Sequence, residues 1–207
     1  VSNLMGIAFH LEDPDNIINK SGVTVALVNR SHPGLIQDTY HNPLDVGFPN
    51  GTIKGEFYIE LDQVIGGIEN IGNGWKMLME CLAAGRGICL PATANASSKV
   101  ATFGVYNYLK HRKQFKLPLI KMEGVQNKFC DMLFHTWLIQ SSIALTNNIL
   151  DSGEKPAVLS AILKYKTTER SRDVIMESMD VVAGSAICRG SQNFVYPSYI
   201  ANPVSIT

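Results

Sequence analysis

The chain has 207 residues, 45% hydrophobic and 17% charged, with 18 basic residues balanced by 18 acidic ones. That is enough apolar material for one large domain or two small ones, and the even charge gives no reason to expect nucleic acid or an anionic membrane as partner. No apolar run reaches the length of a membrane span and no charged-then-apolar leader opens the chain, so a soluble, cytoplasmic protein is expected.

The first third reads as β. Leu4–Leu11, Gly22–Asn29 and Thr52–Leu61 are strand-like runs, punctuated by Asp13-Pro14-Asp15-Asn16, His32-Pro33-Gly34, Asn42-Pro43 and Pro49-Asn50-Gly51. Val23, Val25 and Leu27 alternate with Thr24, Ala26 and Val28, as in a half-buried strand. So few strands make a poor independent domain, and they are expected to finish a sheet begun upstream. The texture changes near residue 66. Asn73-Gly74-Trp75 opens a helix that runs to Ala84, and Gly85-Arg86-Gly87 interrupts it. A long helical pattern then spans about Ile88 to Lys113, with Pro91 tolerated near its start. A second long helix is expected from Glu123 to Leu150, closed by Asp151-Ser152-Gly153. Its stripe is Val125, Phe129, Met132, Leu133, Thr136, Trp137, Gln140, Ile143 and Ala144. A third starts near Lys155-Pro156 and ends near Val182. Helices of this length with short connections predict an antiparallel bundle. The chain opens on Val1 without Met and stops at Thr207 in mixed sequence, so a piece of a longer protein is expected.

The four cysteines, Cys81, Cys89, Cys130 and Cys188, lie far apart, with no CxxC pair and no histidine at metal-ligand spacing. Reduced, buried thiols and no metal are expected. The histidines His10, His32, His41, His111 and His135 are scattered and read as structural or solvated. The charged stretch Lys164, Lys166, Glu169, Arg170, Arg172 and Asp173 reads as a solvated or subunit-facing surface. Arg86, between two glycines in apolar sequence, needs either an acidic partner or an anionic ligand if it is buried. Gly184-Ser185-Ala186 resembles a helix C-cap, where exposed backbone could approach a cofactor. The densest chemistry lies in Arg112, Gln114 and Phe115, between the first two long helices. A guanidinium fork suits phosphate oxygens and an adjacent ring can cover a flat group. The same residues, with Lys110, His111 and Lys113, equally make a basic helix end that complements the macrodipole.

Taken in order, the pieces resemble the acyl-CoA dehydrogenase family, in particular its large bacterial fatty-acid type. They are Gly22–Val28 with His32-Pro-Gly-Leu35, Leu61–Gly67, Gly72-Asn-Gly-Trp75, Met79–Gly87, Arg112-Lys-Gln-Phe115 with Lys121–Val125, Gly153-Glu-Lys-Pro156, Met179-Asp180 and Pro203–Thr207. The resemblance implies an α+β chain: the later part of a middle β domain (residues 1–66), then most of a C-terminal helical-bundle domain (residues 67–207). It implies FAD as cofactor and α,β-desaturation of a fatty acyl-CoA in β-oxidation. An electron-transfer flavoprotein as acceptor and a homo-oligomer whose FAD site spans two subunits follow from the same likeness. Arg112, Gln114 and Phe115 would contact FAD, Gly184 and Ser185 would line its adenine end, and Arg86 would lie near the acyl-CoA.

Three departures stand out. The family's Gly-Gly-x-Gly segment here reads Val182-Ala183-Gly184-Ser185-Ala186, and added Cβ atoms can obstruct a ligand that passes close to backbone. Tyr196-Pro197-Ser198-Tyr199-Ile200 lacks an arginine usual in this type, and Pro197 is expected to break a helix. The family's catalytic glutamate falls beyond Thr207, and none of Glu154, Glu169 or Glu177 takes its place. The 207-residue polypeptide is therefore expected to be inactive alone and to retain FAD weakly. The alternatives are an acyl-CoA oxidase on the same fold and a degenerate, non-catalytic binding or oligomerisation module.

Overall fold

The computed structural model describes all residues except Val1, 44–46, 48–49, Lys155 and Thr207, and it leaves undescribed the side chains of 83–84 and 203–206. The turn signal at Pro49, the helix start at Lys155 and the end of the Pro203–Thr207 segment thus lie outside the described residues. The chain divides into two compact units, Val1–Leu82 and Ala83–Thr207.

In the first unit, β1 (Leu4–Leu11) and β2 (Gly22–Asn29) form an antiparallel hairpin with Leu4 opposite Asn29 and Leu11 opposite Gly22. The connection is tied by Asp13, whose carboxylate accepts the backbone N–H groups of Ile17, Ile18 and Asn19 at 2.9, 2.8 and 2.7 Å. The buried face of β2 is the one with the small residues: Thr24, Ala26 and Val28 are fully buried, whereas Leu27 is 44% exposed. The cause is close backbone packing. Ile65 N–H donates to Val25 C=O at 2.9 Å, and Gly72 N–H donates to Thr24 Oγ1 at 3.2 Å. A Cβ on Gly74 would lie 2.6 Å from the Val23 carbonyl oxygen, so only glycine permits that approach.

The second ladder departs from expectation. β3 (Ile36–His41) pairs with β4 (Asn50–Lys54), with a register shift between Gln37 and Tyr40. The expected strand Thr52–Leu61 is paired only through Lys54. β3 is a strand the sequence pattern hides: Ile-Gln-Asp-Thr-Tyr-His is mostly exposed, so it shows no alternation. Among the described residues this unit has two separate two-stranded ladders, β1–β2 and β3–β4. α1 (Gly74–Ala84) follows, and its continuation at Gly85–Cys89 is a π-helical turn rather than a break.

The second unit is helical. α2 (Leu90–His111) has Pro91 in its first turn, α3 (Glu123–Asp151) ends as expected at Ser152-Gly153, and α4 (Ala157–Val182) contacts α2, α3 and α6 (Tyr196–Ile206). Ala101, Val105, Leu109, Met132, Val174, Ile175, Val182, Ala186 and Val195 form one core, and Ile139, Ile143 and Leu163 a second. The α3 stripe is narrower than predicted. Met132, Ile139, Ile143 and Thr146 are buried, but Leu133 and Trp137 are 46% and 65% exposed.

Four further expectations need correction. Pro197 does not break a helix: it is the second residue of α6, where its missing N–H has no intrahelical role. The charged stretch of α4 is not wholly solvated, because Lys164 is buried and Arg170 donates to His135 Nδ1 of α3 at 2.9 Å. Among the described residues the four cysteines are free but exposed rather than buried, since each lies on an outward side of its helix or loop. Arg86 is exposed on the π-helical turn, so the burial penalty that called for a partner does not arise.

Candidate functional site

The Arg112 segment leaves α2 as a small hairpin. Arg112 adopts an extended conformation, its N–H still bonded to Tyr108 C=O at 2.8 Å, and its C=O accepts Leu119 N–H at 2.9 Å. β5 (Lys113–Gln114) and β6 (Leu117–Pro118) pair around a two-residue turn. Both turn residues have positive φ, 50° at Phe115 and 67° at Lys116, as the tight hairpin turn of matching twist requires. Phe115 projects outward, 88% exposed.

Across a cleft lies the junction of α4 with α5 (Gly184–Ile187). Ala183 N–H closes α4 on Met179 C=O at 2.8 Å, and Ala183 C=O accepts Ala186 N–H at 2.8 Å. The C-cap is thus Ala183 (φ 56°, ψ −134°) and not the glycine after it. The loop beyond α5 is stitched by Asn193. Its amide donates to the C=O groups of Ala186 and Cys188 at 2.6 and 2.9 Å, and its Oδ1 accepts Val195 and Tyr196 N–H at 3.1 and 2.9 Å, opening α6. Phe194 lies against α2 at Gly104, where an added Cβ would meet its ring at 2.3 Å.

The cleft has a volume of about 1230 Å³, more than the ~1,000 Å³ typical of the larger drug-sized pockets. It brings together Arg112, Gln114, Gly184 and Ser185; Phe115 stands at the hairpin tip outside its lining, and Arg86 is not part of it. Among the described residues, the side chains of Arg112 and Gln114 have no hydrogen-bond or ion-pair partner, so both donors are available. A Cβ on Gly184 would meet nothing within 4 Å, which leaves its backbone open to a ligand.

Sequence reasoning missed several of the lining groups. Arg189 also faces the cleft, its guanidinium over the Tyr196 ring at 5.7 Å and its Nη2 donating to the Tyr196 hydroxyl at 3.2 Å. Lys128 of α3 pairs with Glu177 and, at 3.1 Å, with Asp180 of α4. Hydrogen bonds to Glu177 and then Asp180 hold its ammonium above the usual lysine range near 10.5. With Lys128 bound to the acidic groups, Arg112 and Arg189 dominate the lining charge, which suits an anionic, phosphate-bearing ligand. Asn193, just ahead of α6, carries the N-cap signal that could have exposed this loop; nothing local marks Arg189.

The crystal structure of an acyl-CoA dehydrogenase from Geobacillus kaustophilus has this architecture, with a TM-score of 0.85 at 18% identity, covering 99% of this chain and 52% of that one. The fold is that of the acyl-CoA dehydrogenases. The family model described as "Acyl-CoA dehydrogenase, C-terminal domain" matches residues 72–196, more than half of the chain, and the chain belongs to the acyl-CoA dehydrogenase family. It is 39% identical over 98 residues to a Proteus mirabilis protein named Protein HemX, covering 45% of this chain and 58% of that protein. It is 25% identical over 175 residues to the human mitochondrial short-chain specific acyl-CoA dehydrogenase, covering 82% of this chain and 41% of that enzyme. The chain therefore spans about half the length of the relatives it matches.

Proposed function

We propose that this chain carries part of the flavin site of an FAD-dependent acyl-CoA dehydrogenase that desaturates a fatty acyl-CoA in β-oxidation. One observation carries the reading. Two segments far apart in sequence, Arg112–Gln114 and Gly184–Ser185, converge on a single cleft whose unpaired donors suit a dinucleotide. The residues fit such a cofactor: Arg112 offers a free guanidinium, Gln114 a free amide, and Gly184 an unobstructed backbone. When bound, FAD would supply the hydride acceptor. The protein's part is to hold and orient it, with Arg112 meeting phosphate oxygens and Phe115 covering a ring contributed from a second subunit.

The same reading includes a homo-oligomer, in which Phe115, 88% exposed at the hairpin tip, would meet the second subunit. On this reading residues 1–66 belong to the middle β domain and 67–207 to the helical domain. Arg86 meets the acyl-CoA, an electron-transfer flavoprotein removes the electrons, and the protein works in the cytoplasm. FAD titration followed by flavin fluorescence tests the site. Arg112→Ala is expected to weaken binding by at least about tenfold, since a charge-assisted hydrogen bond contributes roughly 1.5–3 kcal/mol. Unchanged affinity would remove Arg112 from the site, and no FAD binding by the wild type would favour the non-catalytic module. The 207-residue polypeptide alone is expected to show no acyl-CoA-dependent reduction of an artificial acceptor, and activity above a heat-killed control would overturn that expectation.

A further inference from the structure

Among the described residues, five that are not glycine have positive φ: Asn16, Asn19, Phe115, Lys116 and Ala183. The two asparagines tolerate that region, and the hairpin pair fill a turn that demands it. Ala183 is different. Its φ of 56° and ψ of −134° lie near the first central position of a type II′ turn, at about +60° and −120°, which glycine normally fills. An alanine Cβ is strained there, and residues so held gather at ligand sites, where the surroundings force the conformation. The next residue, Gly184, has no positive φ and open space around its missing Cβ. The glycine therefore sits one position beyond the place the backbone requires it.

Ala183 and Gly184 both line the cleft, with Arg112 and Gln114 among the other lining groups. We propose that Ala183 is the residue that sets this chain's affinity for its flavin dinucleotide, by straining the corner conformation that forms this part of the cleft wall. This rests on the flavin reading above. The physical reason is population: a ligand that needs a particular corner binds more weakly in proportion to the fraction of molecules lacking it. The methyl group acts on the conformation of the wall, whereas Arg112 acts on the ligand directly, so Ala183 is a positioning residue.

The test compares the wild type with Ala183→Gly and Gly184→Ala, using FAD as the probe. Affinity is read by titration of flavin fluorescence. A second readout is FAD protection of Cys188, which lines the same cleft, from alkylation by iodoacetamide; Cys81, Cys89 and Cys130, also exposed, serve as internal controls. Ala183→Gly is expected to bind FAD about tenfold tighter than the wild type and to raise the melting temperature of the cofactor-free protein. FAD should then protect Cys188 at correspondingly lower concentration. Gly184→Ala should not tighten binding. Equal affinity in the wild type and Ala183→Gly overturns the proposal while leaving the flavin site standing, even if the melting temperature rises, because that pattern marks a purely structural strain. Weaker binding by Ala183→Gly also overturns it. Absence of FAD binding in both proteins overturns this inference and the flavin reading together.

Discussion

The hairpin of Arg112–Pro118 and the corner of Val182–Asn193 both contribute to one cleft, and both hold ordinary L residues at positive φ, yet they are made in different ways. The hairpin's conformation is local: two ladder pairs and a two-residue turn dictate the backbone, and its aromatic points away from the molecule. The corner runs against its residue's own preference: Ala183 is held by backbone bonds to Met179 and Ala186, and the following loop by the Asn193 stitches, with Phe194 seated on Gly104 beyond them. A turn that follows strand twist needs little tertiary support. A corner that runs against the residue's own preference needs a good deal.

Substitutions that strike only one wall sharpen this contrast. The largest effect is expected at the corner's backing, where Gly104→Ala places a methyl into the Phe194 ring. Overpacking of that kind costs up to about 3 kcal/mol, and chemical denaturation should show it, with the α2–α6 side of the unit losing amide-exchange protection first. Asn193→Ala removes four hydrogen bonds, including the cap of α6, and should lower stability by about 1–2 kcal/mol in the same assay. Phe115→Ala is the smallest. The ring is 88% exposed, so unfolding free energy should stay within about 0.5 kcal/mol, while sedimentation should show weaker self-association if the proposed homo-oligomer forms through this tip. A corner as tolerant as the hairpin, or a hairpin as sensitive as the corner, would break the contrast.

How much of this was legible in the sequence depended on whether a segment buries a regular face. β1 and β2 were readable to the residue, and α3 and α4 closely, because their apolar periodicity and turn residues agree. β3 was not, since an exposed strand carries no alternation. The cysteines misled because burial is a tendency of the residue type, whereas these thiols sit on outward surfaces. In the cleft, Arg112, Gln114, Gly184 and Ser185 were found through an ordered series of motifs. Arg189 and Lys128 were not, because charged side chains brought together only by helix packing have no signature in spacing. The alanine at 183 was visible as an oddity of sequence. That it occupies a glycine-demanding place at the end of α4, with the glycine beside it unneeded, is a fact of geometry alone.

The buried hydroxyls of α4 set what the bundle asks of its neighbours. Thr167 and Thr168 donate back to Leu163 and Lys164 C=O at 2.7 and 2.8 Å, and Ser178 to Ile175 C=O at 2.6 Å, so these groups are satisfied within their own helix. Ser171 instead reaches another helix, donating to Ala94 C=O of α2 at 3.0 Å. At these hydroxyl positions the central helix thus presents small, smooth surfaces that require matching shape from their surroundings rather than matching chemistry, whereas Arg170, Glu177 and Asp180 each meet a polar partner on α3. Residues of neighbouring helices that face the hydroxyl positions can be exchanged without leaving a donor stranded, provided volume is kept, so this part of the bundle tolerates drift in sequence.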